Sequence, residues 1–287
     1  MEITAELVKT LRDKTNAGMM DCKKALKETD GDLEAAVAYL RQKGLAVAAK
    51  RAGRSAAEGA VWAHIAPDHQ SGLLLELNCE TDFVAKTDSF LELGARLSEQ
   101  LAASALETVE ALLAEPCPHL PGLTVTDYLN DVIAKTGEKC HLRRFSRFTG
   151  DLVAAYIHHG GKIGVLLELS GTEAAPEAVA AAKDVAMQIA AASPLAISPE
   201  DLSPEAVAKE RAIFEAQARE SGKPDKIIEK MVTGRLEKFY KEACLLQQAF
   251  VKNPDQTVAQ YLKETGDRLG RKDLKVKRFT RYQVGTE

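Results

Sequence analysis

The sequence predicts an α+β protein: three short N-terminal helices, then two related α/β core subdomains, with a helical hairpin inserted in the second. Three observations predict it. An ungapped internal repeat at an offset of 92 residues pairs "EGAVWAHI" with "GDLVAAYI" and "GLLLELN" with "GVLLELS", so that Val61 matches Val153, Ile65 matches Ile157, Gly72 matches Gly164 and Glu76 matches Glu168. A second pair of matches, "TVTDYL" with "TVAQYL" and "LRRFSRF" with "VKRFTRY", recurs at offsets of 133 and 134. The difference between the offsets places an insert of about 40 residues inside the second copy, too long for a simple loop in a compact domain.

The first 50 or so residues read as three helices. Thr4 caps the first, where Leu7, Val8 and Leu11 fall at helical spacing. "TNAGMMD" interrupts it, and Asn16 and Gly18 suit a loop with unusual backbone angles. The second helix carries Met20, Lys23, Lys24, Ala25 and Leu26. "TDGD" ends it, with Asp30 or Asp32 as the next cap. The third carries Ala36, Val37 and Leu40 and is expected to stop at Gly44, a suitable C-terminal glycine. "AAKRAGRSAAEG" then reads as a helical or flexible linker. So small a bundle has little core of its own and fits an interaction module.

Each repeat reads as a hairpin of strands, a long Ala/Leu helix, a short helix and a final strand. The long helices are "SFLELGARLSEQLAASA" and "PEAVAAAKDVAMQIAAA". In the insert, Ser203 and Pro204 form a cap followed by proline at the first helical position, and Gly222 and Pro224 break the middle. Val207, Phe214 and Ala218 should face Ile227, Met231 and Leu236 in a coiled-coil manner. The expected division is a helical partner-binding module over 1–52, one core subdomain over 53–145 and a second over 146–287, interrupted by the hairpin 203–244.

Composition excludes several classes. A net charge of −4 over 287 residues is a poor start for a nucleic-acid binder, which needs clustered cations. The five cysteines, at 22, 79, 117, 140 and 244, form no CxxC pair and fit reduced thiols in a cytoplasmic protein. The opening "MEITAELVKTLRDK" is charged within two residues, so no signal peptide is expected. No apolar run approaches the ~18 residues of a membrane span. Phosphate-loop, dinucleotide-binding and nucleophile-elbow signatures are absent.

Two sites could carry chemistry. Glu80 and Asp82 could form a carboxylate pair, but residues two apart on an extended chain with no further acid nearby make a poor one. His158 and His159, adjacent in a strand, would face opposite sides and chelate poorly. Neither a catalytic residue nor a metal site nor a cofactor is therefore assigned. The stretch "NCETDFVAK", at 78–86, is more informative. Phe83 could plug the core and Thr81 or Asp82 could cap a turn. Yet a better helix start lies at Thr87 or Asp88, which leaves "ETDFVAK" as a separate tip. A residue needed only by the fold should recur in both halves, and the repeat copy "SGTEAAPEA" has no Asp-Phe pair there.

The motifs "MEITAELVKTLRDKT", "AGMMDCKKAL", "NCETDFVAK", "KTGEK", "YIHHGGKIGVL" and "SGKPDKIIEKMVTGRLEKF" resemble, in order and spacing, the bacterial elongation factor Ts family. The resemblance covers nearly the whole chain. It implies a non-enzymatic guanine-nucleotide exchange factor that binds elongation factor Tu, both GDP-bound and nucleotide-free. It also implies an N-terminal ubiquitin-associated-like module and a hairpin that supports a homodimer, with no nucleic acid or membrane as direct partner. It maps the Mg²⁺-dislocating tip onto Thr81, Asp82, Phe83 and Val84, and further partner contacts onto Lys23, Thr136, Gly137 and His158; Met19 and Met20 suit the same soft contact surface. Asn16 and Ala249 depart from the family's usual Gly and Pro. Many members continue into a C-terminal helical module, whereas this sequence runs to "RYQVGTE".

Overall fold

A computed structural model describes residues 3–15, 17–220 and 222–286. Asn16, for which an unusual loop conformation is expected, lies outside the described residues. The fold is α+β, with small antiparallel sheets and helices segregated around them.

Helices α1 (Ala5–Thr15), α2 (Met19–Glu28) and α3 (Leu33–Arg51) enclose Val8, Leu11, Cys22, Ala25, Leu26 and Ala36. Thr4 Oγ1 accepts from Leu7 N–H at 3.2 Å, and Asp32 accepts from Glu34 and Ala35 N–H, so both starts are capped by the anticipated side chains. The expected stop at Gly44 does not occur. Helix α3 continues two turns to Arg51, and Gly44 is buried inside it. A Cβ there would stand 3.2 Å from the Ala134 Cβ, so glycine serves a close helix–helix approach rather than a cap.

The first half runs β1 (Glu58–Ile65), β2 (Ser71–Cys79), α4 (Asp88–Ala102), α5 (Val109–Ala114), α6 (Val125–Thr136) and β3 (Cys140–Thr149), with sheet order β1-β2-β3. The second runs β4 (Leu152–His158), β5 (Ile163–Ser170), α7 (Pro176–Ala192), α8 (Pro204–Arg219), α9 (Asp225–Ala243), the short strands β6 (Ala249–Phe250) and β7 (Asn253–Thr257), α10 (Val258–Leu269) and β8 (Lys275–Gln283), with sheet order β4-β5-β8. One face of each sheet takes helices. Leu73, Leu75, Leu77 and Phe90 sit at the centre of the first helical core, and Val165, Leu167, Val185 and Ile189 at that of the second.

The other faces pack against each other through Val61, Leu74 and Phe148 from one sheet and Val153, Leu166 and Tyr282 from the other. The contact is reciprocal, as the repeat requires. A Cβ on Gly72 would press on Val153, and one on Gly164 would press on Val61. The Arg144 guanidinium stacks 4.2 Å over the Tyr282 ring, and Arg278 stacks 4.2 Å over Phe148. Repeat-paired Glu76 and Glu168 are both buried. Glu76 binds Arg143 and Arg144, and Glu168 binds Lys277 and Arg278, so each buried charge is compensated.

In the inserted hairpin, Val207, Phe214 and Ala218 meet Ile228, Met231, Val232 and Leu236. Ile227, expected in this seam, is exposed instead. Ile228, Val232 and Leu236 recur at four-residue steps along the seam, and Ile227 falls about 100° further round the helix. The β6–β7 pair, which carries no strand signal in "AFVKNPDQT", is reduced in the first half to a single bridge between Pro116 and Thr124, the repeat partners of Ala249 and Thr257. Among the described residues, all five cysteines are unbridged and no helix is long and apolar enough to cross a membrane.

Candidate functional site: a latched tip beyond strand β2

Strand β2 ends at Cys79, beside Cys140 at the start of β3. Burial pushes both thiols up to about 12. Cys79 therefore stays protonated and donates to the Thr81 carbonyl at 3.1 Å, drawing the chain into a turn. Glu80 accepts from the Lys139 N–H at 2.7 Å and pairs with Arg51 at 3.2 Å and Arg54 at 3.1 Å. The Lys139 hydrogen bond, followed by the two guanidinium groups, holds its carboxyl below the usual Glu range. Thr81 donates through its backbone N–H and its hydroxyl to the two oxygens of Glu138, at 3.0 and 2.8 Å. The segment is thus latched to the turn between α6 and β3.

The next residues divide by direction. Val84 and Ala85, in a 3₁₀ turn over Val84–Lys86, enter the first core at 7% exposure each. Val84, grouped with the outward tip in the sequence, is its anchor. Phe83 is 79% exposed in ordinary helical backbone (φ −65°, ψ −47°). It does not plug the core, where Phe90 is fully buried with its ring 5.8 Å from that of Trp62. Asp82 is half-exposed and pairs with Lys86 at 2.7 Å. That hydrogen bond, with Lys162 adding attraction, holds its carboxyl below the usual Asp range. Glu80 and Asp82 are engaged by separate cations, and both shift downward, whereas a carboxylic general acid needs an upward shift.

Other predicted contacts gather at the same end. Gly137 terminates α6 in the left-handed region (φ 69°), and Thr136 donates to the Val132 carbonyl. Their neighbour Glu138 is the Thr81 latch, which sequence reasoning missed although it sits inside "KTGEK". His158 ends β4. Its ring lies 5.4 Å from that of His159 with an interplanar angle of 14°, contrary to the expected opposite facing. His159 has already left the strand (φ 57°), and its ring swings onto the same side. Lys162, in the same turn, binds Glu58 and the Gly59 carbonyl at the start of β1, alongside the end of β2.

Met19, Met20 and Lys23 lie elsewhere, on α2. Met19 and Met20 are exposed and line a groove of about 290 Å³ with Ile3, Val8 and Arg12. Helix α3 connects this surface to the tip, since Arg41 pairs with Asp127 at 2.7 Å and Arg51 reaches Glu80. Among the described residues no cluster of three metal-ligating side chains occurs. The arrangement offers a protruding aromatic and an acid on a latched base.

The family model described as "Elongation factor TS" matches residues 80–286. Elongation factor Ts of Clostridium botulinum (strain Langeland) is 47% identical over 285 residues, covering 99% of this chain and 92% of its own. Elongation factor Ts of Clostridium perfringens (strain 13) is 49% identical over 286 residues, covering 99% and 93%.

Proposed function

This chain belongs to the elongation factor Ts family, and from that premise we propose that it is the guanine-nucleotide exchange factor of elongation factor Tu in translation elongation, acting in the cytoplasm without catalysing a covalent step. It binds the GDP-bound partner and promotes GDP release so that GTP can load. The observation that carries the reading is the exposure of Phe83 beside Asp82 on a latched tip.

The physics is that of linked equilibria. A GTP-binding protein holds GDP through a phosphate-cradling loop and Mg²⁺, the largest local charge in its site. A factor that prefers the emptied state must weaken nucleotide by the same factor by which nucleotide weakens it. Phe83 displaces partner side chains as an apolar wedge. Asp82 brings a negative charge and acceptor oxygens to the surroundings of the metal, disturbing its ligand shell without itself being a metal site. Thr81 and Val84 hold the wedge in place through Glu138 and the core. Around the tip, Thr136, Gly137 and His158 extend the contact.

In this reading residues 1–52 form a ubiquitin-associated-like module that presents Met19, Met20 and Lys23 to the partner. Residues 53–145 and 146–287 act as core subdomains, and the hairpin 203–244 is a self-association contact. The test is release of labelled GDP from purified elongation factor Tu with and without this protein. Acceleration supports the reading, and an unchanged rate removes it.

A further inference from the structure

We propose that the groove beside α10 is a docking site for an amphipathic helix of another protein, with small residues along its apolar stripe and carboxylates on its flanks. The internal duplication leaves this groove uncovered, away from the tip. Helices α6 and α10 are repeat partners: both open with a threonine capping box, at Thr124 and Thr257, and both end on a left-handed glycine, Gly137 and Gly270.

In the first half the outer flank of α6 is covered. Helix α3 lies along it, with Gly44 against the Asn130 carbonyl and Ala134, and with Val47 and Ala48 on the core below. Lys139 Nζ donates to the Arg54 carbonyl at the far end. In the second half the counterparts of Asn130, Ala134 and Lys139 are Lys263, Asp267 and Lys272. These line an open groove of about 430 Å³ over Leu246, Leu262 and Leu274. No described segment of the chain occupies it, because the module that supplies α3 is not duplicated.

The occupant differs from α3 in charge. Helix α3 brings arginines to acidic positions, pairing Arg41 with Asp127 and Arg51 with Glu80. In the second half the counterparts of Asp127 and Glu80 are Gln260 and Thr172, and Arg271 stands where the first half has Glu138. The rim carries Lys263, held by Asp267, Arg271, held by Glu173, and Lys272 and Lys275. Lys272 and Lys275 make no salt bridge among the described residues. A rim of this sign selects carboxylates and rejects α3 of a second copy. The floor is shallow, with Leu262 and Leu274 almost fully covered by their own fold. The incoming helix must therefore approach closely, which requires small residues, as Gly44 and Ala48 do in α3. Single-stranded nucleic acid is the weaker fit, since the groove offers no aromatic platform for bases.

The probe is a helix-stapled peptide of residues 38–54 carrying Arg41→Glu, Arg51→Glu and Arg54→Glu, titrated into the isotope-labelled full chain while backbone amide shifts are followed. The expected result is saturable shifts on α10 and the 271–275 turn with a Kd below about 1 mM. The doubly substituted chain K272E/K275E, altered only at exposed positions and checked by its otherwise unchanged spectrum, should bind roughly tenfold or more weakly. Absence of shifts on α10, equal binding of the unaltered peptide, displacement of α3 from α6, or saturation of the groove by a short single-stranded RNA instead of the peptide would each overturn the proposal.

Discussion

Replacing Phe83 by Ala should separate folding from exchange. The side chain is 79% exposed, so the fold loses little: an exposed substitution away from any special feature costs within about 0.5 kcal/mol. Fully burying a phenylalanine contributes roughly 1.5–3 kcal/mol. If the partner covers the 79% that the free protein leaves open, truncation forfeits roughly 1.2–2.4 kcal/mol of the contact. At about 1.4 kcal/mol per factor of ten, kcat/KM for catalysed GDP release should fall roughly 7- to 50-fold. Stopped-flow release of a fluorescent GDP from elongation factor Tu measures this, with thermal unfolding as the control. A loss under about twofold with an unchanged melting temperature would refute the reasoning, because the exposed ring would then contribute nothing to the exchange-competent complex.

Three further outcomes follow from the same geometry. Glu138→Ala removes both acceptors of Thr81, so the tip loses its latch; exchange should slow several-fold while circular dichroism is retained, and an unaltered rate would show that the core anchor Val84 suffices. The Glu80 carboxyl is held below its ordinary value of 4.5 by the Lys139 N–H, so the stability it contributes is present above that value and is lost as pH falls through the lowered one; acid unfolding of Glu80→Gln should lack this component, and superimposable pH–stability curves would contradict it. Deleting residues 205–240 should change self-association more than exchange, as read by analytical sedimentation, and an unchanged assembly mass would remove the hairpin as an oligomer contact.

The duplicated architecture was legible because the repeat preserves residues that both halves need, namely the glycines where the sheets touch and the buried glutamates with their paired bases. The tip was legible for the opposite reason, since Asp82 and Phe83 break the repeat. What stayed hidden depends on contacts distant in sequence. Gly44 looks like a stop in isolation and becomes a helix interior only because α6 lies against it. Glu80 looks like half of a catalytic pair until Arg51, Arg54 and Lys139 converge on it from two other elements. His158 and His159 follow strand alternation on paper, but a single left-handed residue stacks their rings. Ile227 and Ile228 differ by one helical step, and the packing of Val232 and Leu236 against α8 decides which of them enters the seam.

The central claim, that Phe83 enters the partner beside its nucleotide-bound Mg²⁺, is tested most directly by placing a photo-crosslinking phenylalanine analogue at position 83. Irradiation with nucleotide-free elongation factor Tu should give a covalent adduct whose mapped peptide borders the Mg²⁺ and phosphate site, and excess GDP with Mg²⁺ should suppress it. An adduct confined to this chain, or one on a partner surface remote from the nucleotide, would contradict the account.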